Sequence, residues 1–348
     1  MISLVISSLG VGGAQVWVDR LARLLAPHFD VEVLYGGLYG GISFEDASKL
    51  ATGLNIRKIR GLHVPFNPFA VVGAYRYLRA RKDSLVIVSS FVAGVTFRLA
   101  AMLTGHTIYY VSHGWSFRYQ RFPGSLLARC AEAFLGRFSR IICISRADLE
   151  VARGLLRIPR GNLTLIRNRI LDDSIRTSDA SGRAATIGKA LYVGRMADPK
   201  RFDLYVELSR RFPRIEFHAV GPTAGDFATV PPSIVLHGRV PAFNRYEDYD
   251  VFCLFSNSEG LPMSALEAHV HAVPLLLSNV GGCAELIHGN GLLVENSVED
   301  IVAKFTALDA SLPAYRREAL RQRRRFMVSP AALIRLVGRA LRRETETT

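Results

Sequence analysis

The sequence predicts an α/β chain made of two doubly wound, Rossmann-like domains facing one another across a cleft. Three observations carry that expectation. The chain has 348 residues, which suits two hydrophobic cores at about 100–200 residues per domain. Short apolar runs alternate with helical patterns, stop at a polar stretch near residue 171, and start again near residue 190. Charge divides along the same lines. Residues 1–170 carry 22 Lys+Arg against 9 Asp+Glu, residues 188–310 carry 10 against 15, and residues 311–348 carry 10 against 3. One uniform domain does not readily give a basic first half, an acidic second half and a basic tail.

The elements follow in order. Ile2–Ser8, Val31–Tyr35, Leu54–Ile59, Leu85–Ser89, Thr107–Ser112 and Arg140–Ile144 read as strands. They are rich in Val, Ile and Leu on both parities, as parallel strands covered on both faces require. Ala14–His28, Phe69–Lys82 and Ser125–Phe138 carry helical periodicity between them. Residues 171–189 are small and polar without an apolar period, and are expected to be the linker. Ala190–Val193, Ile215–Val220, Ile234–His237, Val251–Phe255, Pro274–Ser278 and Gly291–Val294 then repeat the strand pattern. Val298–Leu308, Pro313–Phe326 and Pro330–Arg343 read as helices. The expected domains are 1–170, 190–326, and a tail at 327–348.

Composition excludes several classes. With 49% hydrophobic residues, 29 Gly, 15 Pro and 4 Cys, the chain is neither disordered, collagen-like nor a disulfide scaffold. The four cysteines lie far apart with no CxxC pair, and are expected to be small core residues in a reducing compartment. The opening MISLVISSLGVGG has no basic flank and reads as a buried strand, not a signal peptide. No stretch approaches the 20 or so apolar residues of a membrane span. A cytoplasmic location is expected.

Two segments carry chemistry. In Ser258-Glu259-Gly260-Leu261-Pro262-Met263-Ser264-Ala265-Leu266-Glu267, Pro262 suits the first helical position. The amides of Met263, Ser264 and Ala265 are then free at a helix N-terminus, a ready anion site. Glu267 lies roughly 7 Å further along the axis at about 1.5 Å per residue, near the phosphate-to-ribose distance of a nucleotide. Glu259 sits in the preceding loop. In the second segment, Val193-Gly194-Arg195-Met196-Ala197-Asp198-Pro199-Lys200 places two cations beyond the carboxyl end of a strand, where open α/β sheets bind ligands.

The ordered set Gly194-Arg195 to Lys200, Val220-Gly221-Pro222, His237-Gly238-Arg239-Val240, Tyr249-Asp250-Val251, Glu259 to Glu267, Gly281-Gly282 to Glu285 and Gly289 to Val294 resembles retaining glycosyltransferases of family 4 (group 1). That resemblance implies the GT-B fold, with the last helix crossing back to the first domain. It implies a nucleotide-sugar donor, no metal or other cofactor, and roles for matched residues. Arg195 and Lys200 would neutralise the diphosphate, Glu267 would hold the ribose, and Glu259 and His113 would face the transferred sugar. Gly221, Arg239, Val240, Gly260, Leu261, Met263 and Ser264 would border the nucleotide.

The first domain adds Ser8-Leu9-Gly10-Val11-Gly12-Gly13-Ala14-Gln15, a glycine loop whose Gly12 and Gly13 allow close backbone approach to a ligand. It departs from the GxGxxG dinucleotide fingerprint, though Asp30 or Glu32 is placed to supply that fingerprint's acid. Ser145 and Asn168 match recurrent family positions that shape the cleft and hinge. Arg201, Arg169 and Ala272 stand where the family commonly has glycine, which bears on hinge conformation and helix packing. Asp248-Tyr249-Asp250 mimics a metal-binding DxD but precedes a strand, which favours a structural aspartate. His269 and His271 are two apart on a helix and cannot share a face.

Tyr75 to Lys82 and Trp115 to Phe122 interleave cations with aromatics. Arg76, Arg79, Arg81, Lys82, Trp115, Arg118 and Arg121 are therefore expected to meet an anionic membrane surface. Arg316, Arg317 and Arg321 to Arg325 are expected to extend that field. The reading is a retaining, hexosyl-type glycosyltransferase, peripheral on the inner face of the cell membrane. Its acceptor would be a lipid-linked glycan in cell-envelope polysaccharide assembly. Two alternatives stand beside it: a sugar-nucleotide epimerase of the same fold, and a basic nucleic-acid-binding protein. The second lacks any nucleic-acid motif and conflicts with the acidic 188–310 segment.

Overall fold

The computed structural model describes residues 1–10, 12–38, 53–171, 185–196, 199–223, 233–240 and 243–345. Most of the expected linker lies outside them, as do Val11, Ala197 and Asp198 of the two glycine-containing motifs. The chain divides into two compact units. One combines Met1–Arg167 with the helix that begins at Pro330, and the other is Asn168–Ser329.

The first unit is built on strands β1 (Ile2–Leu9), β2 (Val31–Leu38), β3 (Asn55–Lys58), β4 (Leu85–Ser89), β5 (Ile108–Ser112), β6 (Arg140–Cys143) and β7 (Leu163–Leu165). Their spatial order is β3-β2-β1-β4-β5-β6-β7, and every pairing is parallel. Ile2 sits opposite Val31 on one side and Leu85 on the other, so β1 is central. β4 is buried throughout, which explains its apolar character on both parities. The helices are α1 (Gly13–Leu25), α2 (Pro68–Arg79), α3 (Phe91–Thr104), α4 (Gly124–Leu135) and α5 (Arg146–Gly154). The sequence reading has no helix at α3. Its residues are buried in succession from Ala93 to Arg98, so no apolar stripe of period 3.6 marks it.

The second unit holds β8 (Ile170–Leu171), β9 (Lys189–Val193), β10 (Glu216–Val220), β11 (Ile234–Gly238), β12 (Val251–Leu254), β13 (Leu275–Ser278), β14 (Gly291–Val294) and β15 (Met327–Val328). Six of them form a parallel sheet of order β11-β10-β9-β12-β13-β14, while β8 pairs with β15. Its helices are α6 (Phe202–Arg211), α7 (Met263–Val270), α8 (Val298–Ala310) and α9 (Leu312–Gln322). The helix expected over 313–326 breaks at Gln322 into a 3-10 turn, Arg323–Phe326. Buried His269 explains the break, because its Nε2 donates to the freed Gln322 carbonyl at 3.0 Å and its ring meets Phe326 edge-on. α10 (Pro330–Thr345) belongs to the first unit, where it packs on α1 and buries Val337.

In each large sheet the chain leaves the central strand in one direction and resumes on its other side. This creates a switch point between β1 and β4, and another between β9 and β12. Ligands of open α/β sheets bind beyond the strand carboxyl ends at such points.

Two expectations fail at this level. Cys130 is exposed on α4, whereas Cys143, Cys253 and Cys283 are buried. Arg316 is also buried, paired with Asp250 beneath β12. It adds nothing to a surface field.

Candidate functional site

The second unit's switch point gathers most of the expected residues. Gly194 N donates to Val220 O at 3.0 Å and Gly221 N to Gly238 O at 2.7 Å, which pins the carboxyl ends of β9, β10 and β11 side by side. Gly221 has φ +112°, and a Cβ there would lie 2.0 Å from Gly194 O. Only glycine fits. Arg195 follows β9 as an exposed residue whose carbonyl accepts from the buried Tyr192 hydroxyl at 3.2 Å. Arg239 and Val240 follow β11 and are likewise exposed.

Lys200 is brought in by its backbone. It bridges Ser256 in antiparallel fashion, with Arg201 N donating to Phe255 O and Asn257 N to Pro199 O at 2.9 and 2.8 Å. Its Nζ lies 2.5 Å from Glu259 Oε1, and Ser256 Oγ donates to the same oxygen at 2.5 Å. Behind Ser256, its N–H donates to Ser278 Oγ (3.0 Å) and Asn296 Nδ2 donates to its carbonyl (2.9 Å). Ser278 Oγ in turn donates to Asn296 Oδ1 at 2.5 Å. The network fixes the Glu259 loop with its polar atoms satisfied.

Beyond Glu259 the chain turns into α7. Gly282 N donates to Gly260 O at 2.7 Å, and Gly281 has φ +53° where a Cβ would stand 1.8 Å from Glu259 O. Asn168 Nδ2 donates to the carbonyl of buried Leu261 at 3.3 Å. Pro262 is the N-cap, one position before the expected first helical residue, and Met263 begins the helix without any side-chain cap. The N–H groups of Met263, Ser264 and Ala265 thus have no intrahelical acceptor. One turn on, Glu267 Oε2 accepts the Tyr246 hydroxyl at 2.5 Å.

Asp250 is structural. It accepts from Gly188 N and Lys189 N at 2.7 and 2.8 Å and pairs with Arg316, while Asp248 pairs with Arg245. His269 and His271 turn to separate surroundings: Gln322 and Asn290 for the first, Glu247 for the second. Among the described residues, no group of three or more His, Cys, Asp or Glu side chains is placed to hold a metal ion.

The first unit's switch point holds the other candidates. Gly12 is the N-cap and Gly13 the first residue of α1. His113, just after β5, places Nε2 3.3 Å from Ser89 Oγ at the end of β4 and meets the Trp17 ring edge-on at 5.3 Å. Burial pushes its pKa down to about 4, so it is a neutral imidazole at physiological pH. Glu32 does not serve a dinucleotide. It lies near the amino end of β2, buried against Arg57 (2.9 Å) and the Tyr77 hydroxyl (2.7 Å). A ribose-binding acid belongs at the carboxyl end.

The expected membrane-facing set is corrected. Trp115 is 1% exposed, stacked on Phe117 with Nε1 donating to Asp148 O at 3.0 Å. It is a core residue. Arg81 turns inward over the Tyr77 ring, 3.9 Å from Glu32. Arg76, Arg79, Lys82, Arg118 and Arg121 are exposed. The apolar partners of these cations lie elsewhere than the sequence reading put them. Phe122 (80% exposed), Leu126 and Phe134 recur at multiples of four along α4 and its approach, with Leu127 and Phe138 beside them. On α2, Phe69 and Val72 continue the line of Arg76 and Arg79. Tyr246, Ser256 and the outer face of α4 escaped the sequence reading. A hydrophobic stripe at helical spacing was the signal for the last, in a segment read there only as a periodic helix.

Comparison with known proteins agrees with this geometry. Residues 188–310 match the family model described as "Glycosyl transferases group 1", and residues 11–170 match "Glycosyltransferase Family 4". The chain is 32% identical over 334 residues to the O-antigen biosynthesis glycosyltransferase WbnH of Escherichia coli, covering 94% of this chain and 95% of that protein. It is 24% identical over 276 residues to the E. coli UDP-Gal:alpha-D-GlcNAc-diphosphoundecaprenol alpha-1,3-galactosyltransferase, covering 70% of this chain and 68% of that protein. HepE of Anabaena, solved in complex with UDP, superposes with a TM-score of 0.74 at 14% identity, covering 98% of this chain and 99% of that one. Two parallel-sheet domains of GT-B type, the matched motifs and a full-length relative lead to one conclusion: the chain belongs to the group 1, family 4 glycosyltransferases.

Proposed function

We propose that this glycosyltransferase moves a hexosyl group from a nucleotide sugar to a lipid-linked glycan in O-antigen assembly, retaining the anomeric configuration. The Lys200–Glu259 pair beside the uncapped start of α7 carries the proposal, because it sets a cation and free amides where a diphosphate needs them. In this mechanism Lys200 and Arg195 stabilise the charge that develops on the diphosphate as the sugar C1–O bond breaks. The acceptor oxygen bonds to C1 on the same face and passes its proton to the leaving phosphate. Glu259 faces the sugar hydroxyls and Glu267 the ribose. The residues need no metal for this chemistry, since cations and amides supply the charge stabilisation.

The lipid-linked acceptor is supported by the galactosyltransferase relative, whose name specifies a diphosphoundecaprenol-linked sugar, and by the outer faces of α2 and α4. Rings and aliphatic side chains flanked by Arg76, Arg79, Lys82, Arg118 and Arg121 suit insertion at an anionic bilayer surface. No helix among the described residues is long and apolar enough to cross a membrane. The attachment proposed is peripheral, on the cytoplasmic face. The test is NMR of the product formed from UDP-hexoses on an undecaprenyl-diphosphate-linked sugar. An α-linkage from an α-donor supports retention; an inverted centre refutes it. Lys200→Ala should lower turnover roughly 10–100-fold, the loss of one charge-assisted hydrogen bond.

A further inference from the structure

We infer that the start of α3 is a phosphate-binding site of the first unit, suited to the diphosphate that links an acceptor sugar to its lipid. The lipid source rests on the function proposed above; the phosphate chemistry does not. α3 follows β4 at the switch point between β1 and β4 and runs for 14 residues from Phe91. Its N-cap, Ser90, makes no capping bond. With φ +79°, Ser90 turns its side chain back to β1, where Oγ accepts from Ser7 N at 3.2 Å. The first bond inside the helix runs from Gly94 N to Ser90 O at 2.9 Å. The N–H groups of Phe91, Val92 and Ala93 therefore have no intrahelical acceptor and point out beyond the carboxyl end of β4. No acidic residue stands in this first turn.

A buried hydroxyl marks the same spot. Ile6 pairs with Ser89 and Ser89 with Val111, so Ser7, Ser90 and Ser112 form the next row, on the opposite face of the sheet. That is the face α3 covers. Tyr110 shares it with Ser112, and a Cβ on Gly94 would lie 2.5 Å from the Tyr110 ring, with the Arg98 guanidinium 4.1 Å from the ring centre. Ser112 lies two residues, or about 6.6 Å, further along β5, level with the turn that precedes Gly94. Its side chain therefore faces the first turn of α3, where the free amides are. Ser112 is fully buried, and its Oγ has no hydrogen-bond partner. Such a group is unfavourable, and an acceptor bound at the helix start would satisfy it. His113 and Ser89 belong to the other face, so their pair does not involve it. The donors decide the chemistry of the ligand. Three amides, the hydroxyls of Ser90 and Ser112 and the positive end of the helix favour an anion. A sugar hydroxyl would also need acceptors, and the first turn offers no carboxylate.

The experiment is calorimetry on the full-length protein in saturating UDP, which keeps the donor site filled. The probes are geranyl diphosphate, inorganic pyrophosphate and geraniol, and the variants Val92→Asp, Val92→Asn and Ser112→Ala. Val92 is only half-buried. An aspartate in the first turn stabilises a helix but repels an anion. Val92→Asp should therefore melt at or above Val92→Asn, yet bind geranyl diphosphate at least about tenfold more weakly than wild type. Ser112→Ala should weaken it roughly threefold or more, and Val92→Asn should stay close to wild type. Geranyl diphosphate bound equally well by wild type and Val92→Asp, or not bound by wild type at all, overturns the inference. An equal loss in Val92→Asp and Val92→Asn overturns it too, since a change of packing then suffices. Geraniol bound as tightly as geranyl diphosphate refutes the phosphate contact. Pyrophosphate bound as tightly upholds the phosphate site and refutes only its lipid source, so the two failures are told apart.

Discussion

Replacing Gly281 by alanine would put a methyl carbon 1.8 Å from the Glu259 carbonyl oxygen, where real Cβ contacts stay beyond 3.0 Å. One of the two segments must move by more than about 1 Å, and the backbone bond from Gly282 N to Gly260 O, 2.7 Å long, lies directly in the way. The left-handed φ of +53° adds its own penalty, about 1–2 kcal/mol for a residue with a Cβ. Losing the backbone bond costs about 0.5–1.5 kcal/mol net, and alanine's smaller unfolded-state entropy returns about 0.4–1 kcal/mol. The balance is a destabilisation of about 0.5–3 kcal/mol, or roughly 1–12 °C in melting temperature for a unit of this size. The effect on activity should be larger in proportion. The displaced carbonyl belongs to Glu259 itself, and a shift of about 1 Å in a positioned group can cost about 10²-fold in rate. Gly105→Ala is the control, since Gly105 has φ +74° but no atom within 4 Å of its would-be Cβ. It carries the strain without the clash. Differential scanning fluorimetry and donor turnover on both variants decide the matter. If Gly281→Ala melts with Gly105→Ala and turns over within twofold of wild type, the close approach does not shape the site.

The Arg98–Glu132 pair joins α3 to α4 at 2.8 Å, each side chain 1% exposed, with Tyr110 donating to the second carboxylate oxygen. Glu132→Leu alone should cost about 3–5 kcal/mol in urea denaturation, and adding Arg98→Leu should recover most of it. On the outer side of the same helix, Leu126→Glu with Phe134→Glu should abolish co-flotation with phosphatidylglycerol vesicles while melting stays near wild type; retained flotation would exclude α4 as the contact. Acid sensitivity should follow from His113 and His269, whose pKa values burial lowers to about 4. Between pH 6.5 and 4 the unfolded chain takes up these protons first, so stability falls as pH falls. For His269 the neutral form is fixed by geometry, Nε2 donating to Gln322 O and Nδ1 facing the Asn290 amide at 3.1 Å. His269→Gln should flatten the melting-temperature slope across that window.

The parallel sheets were legible in the sequence because strands covered on both faces must be apolar on both parities. β1, β4, β9 and β13 show it plainly. The turn from Glu259 into the helix bearing Glu267 was legible because its local geometry lies within one short segment. What escaped depends on partners distant in the chain. Tyr246 donates to Glu267, 21 residues on, and Ser256 bonds to Ser278 and Asn296. No local pattern marks either link. Trp115 misled for a related reason, since a stretch mixing rings and cations looks the same whether the rings face lipid or the core. Arg316 was read as surface charge because its partner, Asp250, lies 66 residues earlier.

α10 belongs to the first unit but is synthesised after the second. Residues 1–167 leave the ribosome long before the helix that completes their packing. At about 5–20 residues per second, the intervening chain takes roughly 8–35 s to appear. Throughout that interval the face of α1 that meets α10 stands open, as does Phe29, which a Cβ at Gly338 would later meet at 3.8 Å. The second unit, by contrast, is continuous in the chain and has every residue it needs before α10 begins. Maturation thus runs inward from the middle: the half read as donor-binding can close first, and the half bearing the apolar α4 face is sealed last.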